Sequence, residues 1–289
     1  MRRYIIIIIG FLISANTFSQ SIAIESWTND IDFYKTNLEH NHIDLYNMIS
    51  KAEFEKEIQN IKSTLNKKSD AEVIIDLMRL TRKIGDGHTA FSLRGVETHL
   101  FPIEIYKING QWRVIKTANS HKNLLGKIVT KIDGKSISTI AKEISEIAQY
   151  VENEQSEIIR TGEYLIISEL LFGLHLTKNE FKAEFSFLDN SNKESIVLLN
   201  AINNKEYYGY TNFQTFEIII PEIQKPNHSK YDYLWFSPIK DTKGIYIKLE
   251  SYPTFEEMEK FGESVLNCIN ENQIRQVGID LRTNGGGDC

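Results

Sequence analysis

Cysteine is nearly absent from this 289-residue chain, which has only Cys268 and Cys289. Two distant cysteines do not make a disulfide framework. Cys268 falls in a helical pattern and reads as a small buried apolar residue. Basic charge is also short: 33 Lys and Arg stand against 39 Asp and Glu, for a net charge of −6. That balance lacks the basic footprint of a nucleic-acid binder, and the scattered lysines make no polybasic membrane patch. The chain shows no internal repeat, and no low-complexity tract beyond Ile5 to Ile9. Its one long apolar stretch, Tyr4 to Ile13, is too short for a bilayer, which needs ~20 apolar residues. What is present is ordinary for a soluble globular protein, with 41% apolar and 25% charged residues. The length suits about two domains.

The apolar stretch follows Met1-Arg2-Arg3, and the residues from Ser14 to Gln20 are mostly small or polar. This is the pattern of a secretory signal peptide over 1–19, cleaved before Gln20, with an uncleaved anchor as the competing reading. No Cys follows the apolar stretch, which argues against a lipoprotein anchor. The expectation is an exported protein, periplasmic or extracellular, with no stable membrane span.

From Ile24 to Ile84 the apolar residues recur at helical spacing, beginning with Trp27, Ile31, Tyr34 and Leu38. Ala52 to Leu65 and Ala71 to Ile84 read as two further helices. Ser69-Asp70 supplies an N-cap for the second, with Glu72 in its first turn. Gly85 and Gly87 end it, and Thr89 to Leu93 alternates like a strand. Pro102 to Lys107 and Trp112 to Lys116 form a hairpin around Asn109-Gly110. Lys127 to Ile132 is a strand, Ser136 to Ile147 a helix and Thr161 to Leu174 a second helix. Phe181 to Leu188 and Glu194 to Leu199 make another hairpin. A polar and aromatic connector carries an edge strand near Phe216 to Ile220. Tyr233 to Pro238 pairs with Gly244 to Leu249. The helix Thr254 to Asn270 buries Phe255, Met258, Phe261, Val265 and Ile269, and the strand Gln276 to Leu281 completes a parallel βαβ unit. The predicted architecture is multidomain α+β. It has a helical N-terminal region with a His loop (20–99), a β-rich domain (100–202), a connector (203–232) and an α/β segment (233–289).

Chemistry concentrates in two places. The turn Asn284-Gly285-Gly286-Gly287 follows a parallel strand, at the sheet edge where ligands bind in open α/β sheets. Its glycines let backbone N–H groups approach a developing oxyanion, although a purely structural turn would also select glycine. No Lys-Ser/Thr follows, so a P-loop is not supported. The second place is Asp86-Gly87-His88. A loop His beside a glycine can act as a base, with Asp86 orienting it or contacting nearby backbone, and a structural hydrogen-bonding role is the plainer alternative. Gly85 to Ala90 also fits a loose dinucleotide pattern, but it follows a helix instead of a strand. His40 and His42 form an H-x-H pair near Asp44 without a clear third ligand, which favours capping and hydrogen bonding over metal.

With these motifs in place, the chain resembles the tail-specific, or C-terminal processing, serine peptidase family, and within it the exported bacterial branch related to the tricorn core. Three stretches carry the likeness. Asn41-His42-Ile43-Asp44-Leu45-Tyr46 precedes helices ending in Ile84-Gly85-Asp86-Gly87-His88-Thr89. Leu125-Gly126-Lys127-Ile128, continued by Ile132-Asp133-Gly134-Lys135-Ser136-Ile137, is similar to the strand and turn of a PDZ-like domain. Ile279-Asp280-Leu281-Arg282-Thr283-Asn284-Gly285-Gly286-Gly287 is similar to the D-L-R-x-N-x-G-G signature. The resemblance implies a PDZ-like domain over 100–202 and the start of a crotonase-like α/β catalytic domain over 233–289. It implies a serine-type endopeptidase acting on polypeptides without a cofactor or metal. His88 matches the general base, and Gly286 and Gly287 match the oxyanion-hole turn, braced by Asp280, Arg282 and Asn284. The serine nucleophile and a later carboxylate fall beyond Cys289, so the sequence is expected to be an inactive N-terminal portion. A Ser-Lys dyad, used by other branches, stays open. So does a non-catalytic protein that binds a peptide or hydrophobic ligand on the same scaffold.

Overall fold

The computed structural model describes residues 24–209, 213–216 and 220–286. Residues 1–23, on which the expected signal peptide falls, and 287–289 lie outside the described residues. The chain divides into two compact units after Phe216.

The first unit begins with three helices. Helix α1 spans residues 24–41 and buries Ile31 completely. Helix α2 (Lys51–Thr64) starts at Ser50, whose hydroxyl accepts the Glu53 amide. Helix α3 (Asp70–Ile84) starts on a full capping box between Ser69 and Glu72 and ends at Gly85, which takes a left-handed φ of 76°. This helix is buried on two sides. Val73, Leu77, Leu80 and Ile84 join the core of the helical region, whereas Ile75 and Met78 enter the core of the sheet that follows.

The segment Thr89 to Leu93, expected as a strand, is irregular. Its alternation comes from Phe91 and Leu93 docking on the core, while the Phe91 amide donates to the Gln149 side chain in place of a strand partner. After the short strand β1 (His99–Leu100) come β2 (Ile103–Ile108) and β3 (Gln111–Ala118). They are joined by Asn109 at φ 49° and Gly110 at φ 77°, the two left-handed residues that a tight type I′ hairpin requires. Strands β4 (Ile128–Ile132) and β5 (Lys135–Ser136) flank a second such turn at Asp133-Gly134. Helices α4 (Ile137–Ser145), α5 (Glu154–Tyr164) and α6 (Ser168–Gly173) follow. The single helix expected over Thr161 to Leu174 is therefore two. The break has a physical cause: the Phe101 amide donates to the Ile166 carbonyl, and Ile167 bridges Leu100. Ile167 accordingly takes extended backbone, at ψ 111°, and a new helix starts from it.

Strands β6 (Lys182–Leu188) and β7 (Glu194–Asn200) pair along their whole length. The antiparallel order is β2-β3-β4-β6-β7, with β5 on β4. Strand β8 (Ile202–Asn203) pairs with β1, and helix α7 spans Asn204–Gly209. The strand expected near Phe216 to Ile220 falls mainly on residues 217–219, outside the described residues, and just before it β9 (Phe213–Thr215) pairs with β3.

The second unit is a small three-stranded sheet with one helix. Strands β10 (Leu234–Pro238) and β11 (Gly244–Leu249) are antiparallel, and β12 (Gln276–Asp280) runs parallel to β11 with Lys248 opposite Asp280. Helix α8 (Phe255–Asn272) makes the crossover, capped by Thr254 and Glu257. Its contribution to the core starts at Phe261 and continues through Val265, Cys268 and Ile269. Phe255 was expected on the buried side but precedes that stretch by more than a turn and is 80% exposed.

Two helical glycines separate steric demand from helix propensity. A Cβ on Gly162 in α5 would lie 2.4 Å from the Ile105 carbonyl oxygen, whereas one on Gly262 in α8 meets nothing within 4 Å. Replacing helical Gly by Ala gains roughly 1 kcal/mol of propensity at either site. Gly162→Ala must also push helix from strand, an overpacking cost of about 1–3 kcal/mol. Urea unfolding should show Gly262→Ala stabilised and Gly162→Ala destabilised, and a stabilised Gly162→Ala variant would refute the close contact.

Candidate active site

The His88 loop is set by what precedes it. Gly85 turns the chain out of α3, and Asp86 then organises the next residues through its carboxylate. Oδ2 accepts the Thr89 hydroxyl at 2.6 Å and Oδ1 accepts the His88 amide at 3.0 Å. The Thr89 amide donates to the Asp86 carbonyl at 3.2 Å. The Thr89 hydroxyl first, and the His88 amide second, hold the Asp86 carboxyl below the usual carboxylate range. His42 lies behind this carboxylate. Its Nδ1 accepts the Asp44 amide at 3.0 Å, so in the neutral ring the proton sits on Nε2, 3.3 Å from Asp86 Oδ2 and off hydrogen-bond alignment. Of the H-x-H pair, His42 is the one that lies against the loop carboxylate. Among the described residues no group of three His, Cys, Asp or Glu is placed to hold a metal ion.

The His88 ring itself is 90% exposed, with Nδ1 3.3 Å from Glu152 Oε1. The Glu152 side chain lies across Gly87: a Cβ there would be 1.9 Å from Glu152 Cγ. Gly87 has no positive φ, so it is required for space. Gln149 ties the Glu152 segment to the loop. This side chain is 1% exposed, donates to the Met78 and Ile147 carbonyls at 2.9 and 2.7 Å, and accepts the Phe91 amide at 2.9 Å. Sequence reasoning found His88 and Asp86 but missed Gln149 and Glu152. They lie far along the chain in no motif, and the crowding at Gly87 is visible only in the fold.

In the second unit the Asp280 to Gly286 turn carries several side-chain hydrogen bonds. Arg282 donates from Nε and Nη2 to the two Asp280 oxygens at 2.8 and 2.7 Å, and its amide donates to Oδ1 at 3.1 Å. The Tyr246 hydroxyl also donates to Asp280 Oδ2. Arg282 above all holds the Asp280 carboxyl well below its ordinary range. Burial, then the neighbouring carboxylate, pushes the Tyr246 hydroxyl up. Asn284 donates to the Leu249 carbonyl at 3.1 Å, and its Oδ1 accepts the Gly286 amide at 2.8 Å. Gly286 takes a φ of 84°, which favours glycine. Its N–H is therefore already committed, and Gly287 lies outside the described residues. The His88 loop belongs to the first unit and this turn to the second.

Solved structures share the architecture. An alanine-for-serine mutant of CPAF, a chlamydial serine protease, matches with a TM-score of 0.63 at 11% identity, over 92% of this chain and 57% of that one. Mature CPAF complexed with lactacystin matches at 0.62 and 11%, with the same coverage. Mature CPAF alone gives 0.57 and 12%. The fold is one that CPAF shares. No family model and no curated protein matches the sequence, and the chain spans only 57% of the length of the CPAF chains.

Two measurements probe these arrangements. Gln149→Leu removes the acceptor of the Phe91 amide and a donor to two carbonyls inside the protein. Stranding such groups costs about 1–3 kcal/mol each. The urea midpoint should fall with an unchanged m-value, and an unmoved midpoint would show that water replaces the amide. At Asp280 the depressed carboxyl stabilises the folded second unit fully above the unfolded value of roughly 3.9. That contribution is lost as pH drops below it towards the lower folded value. Arg282 is largely exposed, so the effect is held to about 1 kcal/mol. Amide protection in the β11–β12 ladder, taken relative to the intrinsic exchange rate at each pH, should fall on acidification in the wild type, with a flatter dependence in Asp280→Asn. Equal slopes would exclude the brace.

Proposed function

We propose that this chain is part of an exported serine-type endopeptidase that hydrolyses peptide bonds of polypeptide substrates. The observation that carries the reading is the His88 loop: an exposed imidazole on a backbone pinned by Asp86, with a carboxylate near Nδ1, on a fold shared with CPAF. Nε2 takes the proton of a serine hydroxyl as Oγ bonds to the substrate carbonyl carbon. It returns that proton to the amide nitrogen as the C–N bond breaks, and a water repeats the sequence to release the acyl group. The braced Asp280 to Gly286 turn supports backbone donors for the oxyanion. With the Gly286 N–H already given to Asn284, Gly286 shapes the turn.

The nucleophilic serine and the carboxylate that follows it in the family belong, in this reading, to the part of the CPAF-like fold that the sequence does not span. The antiparallel sheet from β2 to β7, with α4 and α5, is the PDZ-like element that recognises the polypeptide. Export rests on the Met1 to Gln20 pattern.

Casein cleavage by the product of the full reading frame tests the mechanism. His88→Ala should lower kcat/KM by about 100-fold or more, the contribution of a general base. An unchanged rate would reject His88 and favour a Ser-Lys dyad, and a reading frame without a serine at a strand-to-helix turn past residue 289 would sink the peptidase reading.

A further inference from the structure

We infer that Glu152 is the positioning carboxylate of His88, fixing the tautomer and direction of its ring. The catalytic consequence rests on His88 being the base, whereas the ring geometry stands without it.

The backbone of Glu152 is held from both sides. Three residues earlier, Gln149 is locked by its buried hydrogen bonds. Tyr150 between them takes a left-handed φ of 60°, and Val151 is buried. On the other side Asn153 caps α5 in a capping box with Ser156, whose hydroxyl also accepts the Glu152 amide at 3.0 Å. Glu152 therefore leaves a fixed corner, and its side chain reaches His88 over Gly87, where a Cβ would lie 1.9 Å from Cγ.

Two carboxylates are close to the His88 ring, and their partners decide between them. Asp86 is nearer in sequence, but its oxygens are taken by the Thr89 hydroxyl and the His88 amide, with His42 Nε2 beside Oδ2. It pins the backbone. Glu152 Oε1 faces the ring at Nδ1, 3.3 Å away. An ionised carboxylate only accepts, so Nδ1 carries the proton, and the lone pair of the neutral ring falls on Nε2. That is the form a base needs. The contact is not an aligned hydrogen bond here, and such pairs commonly align only when substrate closes on a site. Both partners are exposed, so the pair adds little stability. Its role is to choose a tautomer, since a free neutral imidazole side chain prefers its proton on Nε2.

Ring nitrogen NMR of the 289-residue protein, with His88 neutral, reads the tautomer without any need for activity. The wild type should favour the Nδ1–H form by about threefold over Glu152→Ala, the ratio that a weak exposed pair supports. Gly87→Ala displaces the flexible Glu152 side chain and should reproduce that loss with the amide spectrum of α5 intact, while Glu152→Gln, still an acceptor, should restore most of it. Identical ratios in wild type and Glu152→Ala would overturn the proposal whatever the fate of the peptidase reading. In the full reading frame, Glu152→Ala should lower kcat about 10-fold at unchanged KM, a fraction of a general base's contribution. Casein cleavage lost in His88→Ala but unaffected in Glu152→Ala would remove Glu152 from catalysis, whereas cleavage unaffected in both would count against His88 as base and leave the tautomer result standing.

Discussion

The buried amide of Gln149 is the constraint on which the His88 region depends. Its three hydrogen bonds reach α3 at Met78, the His88 loop at Phe91 and its own segment at Ile147. Apolar packing can hold α3 against the sheet, because Ile75 and Met78 enter the sheet core. Packing alone does not fix where an irregular loop sits along that surface. Directional bonds from a nearly inaccessible side chain do, because moving the loop would strand a buried donor and its acceptors. The loop beyond Gly85 and the corner before α5 are thereby referred to one another, and both His88 and Glu152 inherit their positions from that link.

Around this link the polar groups divide the work by burial. Gln149 and Asp86 set backbone positions, where a few kcal/mol matter to the fold. His88 and Glu152 are exposed, and their pairing contributes little to stability. A side chain that must accept and return protons gains from being weakly held and well aimed. The second unit follows the same division. Asp280, shielded and bound by Arg282 and Tyr246, stiffens the strand end, and Asn284 bonds across to Leu249 so that the glycines start from a fixed point.

Much of this was legible in the sequence where the cause is local. The Ser69 and Glu72 cap, the Asn109-Gly110 hairpin and the βαβ crossover of β11, α8 and β12 all follow from residues within a few positions of each other. The misses share a different cause. Thr89 to Leu93 alternates like a strand, but its amide partner is a side chain from the far side of the β2–β4 region. The run from Thr161 to Leu174 has helical spacing, yet Phe101 and Leu100 claim the backbone at 166 and 167. Glu152 sits among several glutamates of similar local pattern, and only the approach to Gly87 distinguishes it. Local rules place caps and turns; partners distant in sequence override them.

The two glycines nearest the proposed chemistry show why motif reading alone stops short. Gly286 is a glycine of conformation, at φ 84° with open space around its missing Cβ. Gly87 is a glycine of space, with no positive φ and a carboxylate chain where its Cβ would be. In sequence both are simply glycines beside a polar residue. The first admits the backbone to a turn, whereas the second admits a side chain from another element to the histidine. Only the second kind brings a new functional group into a site. A search for partners of an exposed histidine should therefore begin at neighbouring glycines whose φ any residue could adopt, since there the reason for glycine is the group that occupies its place.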